Sequence, residues 1–257
     1  MQGAAPVSFF GTPAGEPAPR GQCLVVPLLS IGNVPQLAVD LLVNSFALGR
    51  CGIVTDEAVE PMASSNVYSH RSGPAFACEL FQFHDAVLLQ LRSKLRQNEI
   101  GAFCGRLAAF AASFAEVVVL GSADAGWLMH PDVDRLNVKY TATAPAAVAA
   151  LESMGLKALC WETSTAAAES MHDAVFHKRS FAGLLQEALK QAATELVLFC
   201  NEGENMPESQ LLARVLISYL DKRGYVPAGT TLVPLPPPSW HTMLADDNPE
   251  VVRQLFQ

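Results

Sequence analysis

The chain has 257 residues, half of them hydrophobic, with 16% charged residues and a net charge of −8. That length supports a sizeable core, as one large domain or two small ones, and so few charges argue against disorder over most of the chain. With mild acidity, no Lys/Arg cluster and no apolar stretch long enough to span a bilayer, neither nucleic acid nor a membrane is an expected partner.

Residues 1–21 are rich in Gly, Pro and Ala and lack the basic start and sustained apolar run of a secretory signal. They read as a flexible arm. The apolar run 23–29 predicts a buried strand. The turn Ser30-Ile31-Gly32-Asn33-Val34-Pro35 follows, and residues 35–48 predict a helix opened by Pro35 and closed by Gly49. The polar positions of this helix, Gln36, Asp40, Asn44 and Ser45, form one narrow stripe. Such a helix is either sandwiched between the sheet and neighbouring segments or turned in part toward another subunit. Residues 52–55 read as a second strand, and 76–83 with 86–91 as a hairpin about His84-Asp85. A helix over 99–114 precedes a strand over 116–120, closed by Gly121-Ser122. An Ala-rich helix over 145–154 lies in a segment, 123–180, read as a variable insertion. Residues 196–200 predict another strand and 207–222 a helix with one broad apolar face. The proline-rich run 227–238 predicts extended chain.

Strands interleaved with helices imply an α/β fold: one sandwich around a mixed, mostly parallel sheet with helices on both faces. No linker separates two halves, so residues 22–240 are expected to form a single domain, followed by a tail, 241–257.

Six cysteines stand at positions 23, 51, 78, 104, 160 and 200, with no CxxC pair. A chain this long does not need a disulfide framework, so they are expected to be reduced, in a protein of the cytoplasm or nucleus. An internal echo places Gly32-Asn33-Val34-Pro35 against Glu204-Asn205-Met206-Pro207, each between a strand and a helix. In both, Asn is expected to cap and Pro to occupy the first turn. Two such turns at the carboxyl ends of parallel strands face the edge where open α/β sheets bind ligands.

Catalytic signals are sparse. The first turn has one glycine, no Lys, and Pro35 where a phosphate cradle wants a donor. No GxGxxG, GxxxxGK[ST] or GxSxG occurs. Ser30 and Ser122 follow strands and are either nucleophile candidates or turn residues. Asp56-Glu57 is either a carboxylate site or a solvated loop. His172 and His177 are five apart, off the spacing for one helical face, and His130 and His241 stand alone, so no metal and no cofactor is expected. The triplet Leu255-Phe256-Gln257 has the apolar–aromatic–any form of a pocket ligand; the bland alternative is an apolar end folded onto the core.

The stretches VPLLSIGNVPQLAVDLL and GIVTDEAVEPMASSNVYS resemble the proteasome assembly chaperone 2 family, as do VLLQLRS, FCGRLAAF, VVVLGS, GENMPESQLLARVL and PPSWHTML. The likeness covers about residues 23–122 and 195–257. Where that family tends to have Gly, this chain has Pro35. The resemblance implies a non-enzymatic chaperone, heterodimeric with proteasome assembly chaperone 1, on the outer face of the 20S proteasome α-subunit ring, where it promotes ring assembly and discourages ring dimers. It implies a nucleoside-phosphorylase-like sandwich without the active site. Gly32, Asn33, Asp40, Glu204, Asn205 and Pro207 then become family-motif structural residues. It further implies that Leu255, Phe256 and Gln257 match a hydrophobic–Tyr–any tail that inserts between α-subunits, with Phe in place of Tyr. The competing reading is an α/β enzyme or binding protein for a phosphorylated or nucleoside-like small molecule, with its site at the Gly32 and Glu204 turns.

Overall fold

The computed structural model describes residues 21–65, 67–71, 73–127, 137–159, 180–189 and 193–240. Residues 1–20 of the expected flexible arm, residues 128–136 and 160–179 of the expected insertion, the tail 241–257, and with them Cys160, His130, His172, His177 and His241, lie outside these residues.

Ten strands and five helices are described. In chain order they are β1 Cys23–Pro27, α1 Val34–Ser45, β2 Arg50–Ile53, β3 Ala63–Ser64, β4 Ala75–Phe76, β5 Cys78–Phe83, β6 Ala86–Leu91, α2 Ile100–Ala111, β7 Glu116–Asp124, β8 Val138–Thr141, α3 Pro145–Ser153, β9 Lys157–Ala158, α4 Phe181–Ala188, β10 Ala193–Cys200 and α5 Met206–Lys222. Eight strands form one sheet in the order β2-β5-β6-β1-β7-β10-β8-β9, and β3 pairs with β4 separately. The centre is parallel: β1 lies between β6 and β7, and β10 continues beyond β7. The β2–β5, β5–β6 and β10–β8 pairs are antiparallel. The sheet is thus mixed and mostly parallel, as its alternating strands and helices imply.

Period-two alternation sorts the core into two layers. Cys23 and Val25 of β1 join Val118, Leu120, Leu196 and Leu198 beneath α1, α3 and α5. Leu24 and Val26 join Val87, Leu89, Val117 and Val119 beneath α2 and α4, where Phe103 and Phe181 fill the space. Both faces are covered, which is why the central strands read as unbroken apolar runs rather than alternating ones.

Several boundaries differ from the sequence expectation, and each difference has a partner to explain it. The strand expected to close at Gly121-Ser122 runs on to Asp124, because β10 pairs with it from Val117 to Asp124 and a neighbouring ladder outweighs a local turn preference. The strand β10 begins at Ala193, three residues before the apolar run, because Thr194 and Glu195 find buried partners. Residues 137–159 of the expected insertion supply β8, β9 and α3, and Ala147 and Leu151 of α3 reach the core. The hairpin forms about His84-Asp85, with His84 left-handed at φ 51°, but its first strand begins at Cys78 rather than residue 76, because Ala75 and Phe76 pair instead with Ser64 and Ala63 in the small sheet. No disulfide joins the five described cysteines, all of which are buried.

Candidate functional site

At the carboxyl ends of β1 and β7 the chain turns sharply. A single 3-10 turn, Ile31–Asn33, carries β1 into α1, and both Gly32 (φ 64°) and Asn33 (φ 52°) are left-handed. Glycine accepts that conformation without cost and Asn tolerates it. Asn33 precedes α1 but makes no side-chain cap, and neither does Asn205 before α5, so the expected Asn capping is not what these residues do. The Asn205 side-chain amide donates instead to the Gly203 carbonyl at 2.8 Å, and the Asn205 backbone carbonyl accepts from the Ser209 hydroxyl at 2.6 Å. Pro35 and Pro207 do sit in the first turns, where a missing N–H is tolerated.

The two echo turns touch. A Cβ on Gly32 would lie 2.1 Å from Asn205 Nδ2, so the second turn is seated on the missing side chain of the first. Gly32 therefore serves two needs, backbone sign and close approach. Glu204, beside Asn205, is exposed.

A pocket of about 220 Å³ opens beside these turns, lined by Leu28, Ile31, Ser122, Asp124 and Phe181 among others. Ser30, just after β1, and Ser122, inside β7, face each other there. Their hydroxyl oxygens are 2.8 Å apart, the Ser122 hydroxyl donates to the Ile31 carbonyl at 2.6 Å, and the Ser122 N–H donates to Ser30 Oγ at 3.0 Å. With the Ser122 proton on Ile31, the Ser30 proton goes to Ser122 Oγ. Each hydroxyl proton is already committed, and among the described residues no base is aligned with either oxygen. Of the described histidines, His70 bonds the Leu48 carbonyl and His84 sits in the β5–β6 turn. Asp124 accepts from the Gly126 N–H at 2.7 Å. No group of three metal-binding side chains occurs among the described residues. Burial pushes the thiols of Cys23, Cys78, Cys104 and Cys200 up, Cys104 to about 12, which keeps them protonated rather than nucleophilic.

The Asp56-Glu57 pair divides. Asp56 is buried, bound by both Arg106 Nε (2.6 Å) and Nη2 (2.7 Å), and also accepts from the Ala58 N–H, so it ties a loop to α2. Glu57 stays at the surface, as a solvated loop residue does.

The polar stripe on α1 is where sequence and structure meet most closely. The helix is sandwiched against α5 and the sheet, and the side chains of three of the four stripe residues, Asp40, Asn44 and Ser45, hold segments distant in sequence. Asp40 accepts from Tyr68 Oη at 2.5 Å and Arg92 Nη2 at 2.9 Å, and Arg92 continues to Glu79, which also binds Arg50. At Gln36 it is the backbone carbonyl, not the side chain, that accepts from Gln90 Nε2 at 2.8 Å. Asn44 and Ser45 hold residues 69 and 235–236. The stripe itself is legible; its partners are not, because they lie 25 to 192 residues away. A polar residue recurring in an otherwise apolar helix was the available signal.

A second buried network joins the amino-terminal ends of the strands to α5. Glu116 accepts from Thr194, Tyr219, Tyr225 and Arg223. Burial alone would raise its pKa, but these four donors outweigh it and hold the carboxyl below the usual range. Leu255, Phe256 and Gln257 lie outside the described residues.

A mixed single sheet, helices on both faces and two interlocked turns at one edge place the molecule in the class of single-sheet α/β sandwiches. The chain belongs to the PAC2 family, whose sequence profile matches residues 24–220. It is similar to proteasome assembly chaperone 2 of Danio rerio, with 24% identity over 95% of this chain and 99% of that one. The Homo sapiens protein of that name is 26% identical over 81% of this chain and 85% of its own. In fold it is similar to Pyrococcus furiosus PbaA, described as an archaeal homolog of proteasome-assembly chaperone. The TM-score is 0.61 at 15% identity, covering 96% of this chain and 92% of that one.

Proposed function

We propose that this chain is a subunit of a chaperone for 20S proteasome assembly and acts by binding alone. It pairs with proteasome assembly chaperone 1 on the outer face of the α-subunit ring, in the cytoplasm and nucleus, promoting ring assembly and blocking ring dimers. The observation that carries this reading is the family match over residues 24–220, with relatives named proteasome assembly chaperone 2 along nearly the whole chain. Leu255-Phe256-Gln257 inserts between α-subunits, where the Phe256 ring fills an apolar groove; relative to Tyr it keeps the ring and loses one hydrogen bond.

Affinity purification at native expression should recover a related chaperone subunit and α-subunits; recovery of neither overturns the proposal. Deleting Leu255-Phe256-Gln257 should weaken binding to α-subunits by about tenfold or more, because a tail and a docked body bind bivalently. Unchanged affinity removes the tail from the mechanism and leaves the family role standing.

The 220 Å³ pocket favours one second reading, a small-molecule site. Melting the protein with millimolar nucleosides or phosphate decides it: a rise of several degrees supports a ligand site, and no rise removes it.

A further inference from the structure

Residues 231–237, neither helix nor strand, pass the end of α1 before the chain turns helical at 238–240. Leu232 and Pro237 are buried and pin this segment at two points. Between them Pro234 and Pro236 fix φ, which keeps the chain extended there. Asn44, 2% exposed, donates through Nδ2 to the carbonyls of Leu235 (2.9 Å) and Pro236 (3.3 Å). Ser45 Oγ accepts from the Leu235 N–H at 2.9 Å. Asn44 Oδ1 accepts from the Ser69 N–H and hydroxyl, so the clamp is itself held. The backbone at Leu235 is thus turned inward and bound.

Two side chains of the segment are turned outward. Val233 is 79% exposed and Leu235 53%, and these are the exposed large apolar side chains among the described residues. They stand two apart on an extended chain, a separation of roughly 6–7 Å. Single exposed apolar residues are ordinary, but a pair held out by a buried amide is not. Strand addition would need free N–H groups, whereas Pro234, Pro236 and Pro237 have none and that of Leu235 is bound to Ser45. Ion pairing would need charge, and residues 224–240 carry none in a chain of net charge −8. What remains is apolar packing: Val233 and Leu235 as two knobs, with proline rings lying flat against aromatic ones. An uncharged apolar patch of this kind matches the core of a permanent interface, since transient ones are more polar. We propose that Val233 and Leu235 are the apolar anchor of the interface with the paired chaperone subunit, whose covering face is an uncharged groove of aromatic and aliphatic side chains. This rests on the pairing proposed above. Because the segment is ordered in advance, docking it costs little further chain entropy.

The test titrates purified proteasome assembly chaperone 1 into the full chain. Val233→Asp, at a mostly exposed position, should leave the melting temperature unchanged and weaken pairing by about tenfold or more, while Val233→Ile should stay within about twofold of the parent. Hydroxyl-radical footprinting should find Val233 and Leu235 reactive in the isolated chain and protected in the pair. Unchanged affinity in Val233→Asp overturns the anchor, as does an equal loss in both variants. Protection already present in the isolated chain also overturns it. If that protection is independent of concentration, another segment of this chain is the cover; if it grows with concentration, a second copy is. Should the unsubstituted chain not pair at all, the pairing itself fails and the anchor with it, an outcome visible without any variant. If Val233→Asp does not fold, Val233→Ser carries the same comparison with a smaller loss of the same sign.

Discussion

Gly32 is the residue on which most of the edge geometry turns. Its left-handed backbone and its contact with Asn205 are separate constraints, and a methyl group violates both. Gly32→Ala should cost about 2 kcal/mol or more: roughly 1–2 for the backbone and the remainder from displacing a side chain already bonded to Gly203. Chemical denaturation checks this. Asn205→Ala in the same background should recover part of the loss, since it removes the obstacle and leaves the strain. The serines illustrate a different point. Ser30 and Ser122 were conspicuous in the sequence as strand-end hydroxyls, but only the fold shows that each has the other as its partner, 92 residues away.

Among the elements, those fixed by their own composition were legible and those fixed by neighbours were not. The runs in β1, β7 and β10 have to be buried on both faces, and the β5–β6 hairpin needs only a two-residue turn. α4 and β8 carry weaker patterns and take shape against partners from elsewhere in the chain. The candidate edge was legible as two similar turns; their interlock was not, because it depends on β1 and β10 being separated by β7 alone. Glu195 shows the energetic side of such pairing. It is buried in β10, and the partner it accepts from is the Thr141 hydroxyl of β8, at 2.5 Å. Burial raises its pKa and the Thr141 bond offsets this in part. A raised carboxyl stabilises the fold below the unfolded range and loses that contribution as pH climbs toward the folded value. Glu195→Gln should therefore raise the melting temperature at pH 8 and leave it nearly unchanged at pH 4, measured by melts at both values.

For the whole molecule, the Glu116 network does what a single ion pair would not, because it ties β7, β10, α5 and the Tyr225 loop at one carboxylate. Its depressed pKa carries the opposite sign to that of Glu195: the contribution is complete above the unfolded carboxylate range and is lost as pH falls through the folded value. Glu116→Gln should cost about 3 kcal/mol at pH 7, and the variant should lose less further stability than the parent between pH 5 and pH 3. Equilibrium unfolding across that range measures both.

The strand order also sets a timetable. The central strand β1 is made first, its neighbours β6 and β7 follow, and β10, which closes the other side of β7, is complete only at Cys200. Roughly 170 residues separate the first core strand from the last. β7 ends at residue 124 and β10 is complete at residue 200, so at about 5–20 residues per second β7 spends roughly 4–15 s without its final neighbour, as an open apolar edge. A protein whose relatives are named for assembling others is itself, during synthesis, a long-exposed client for whatever guards unfinished sheets.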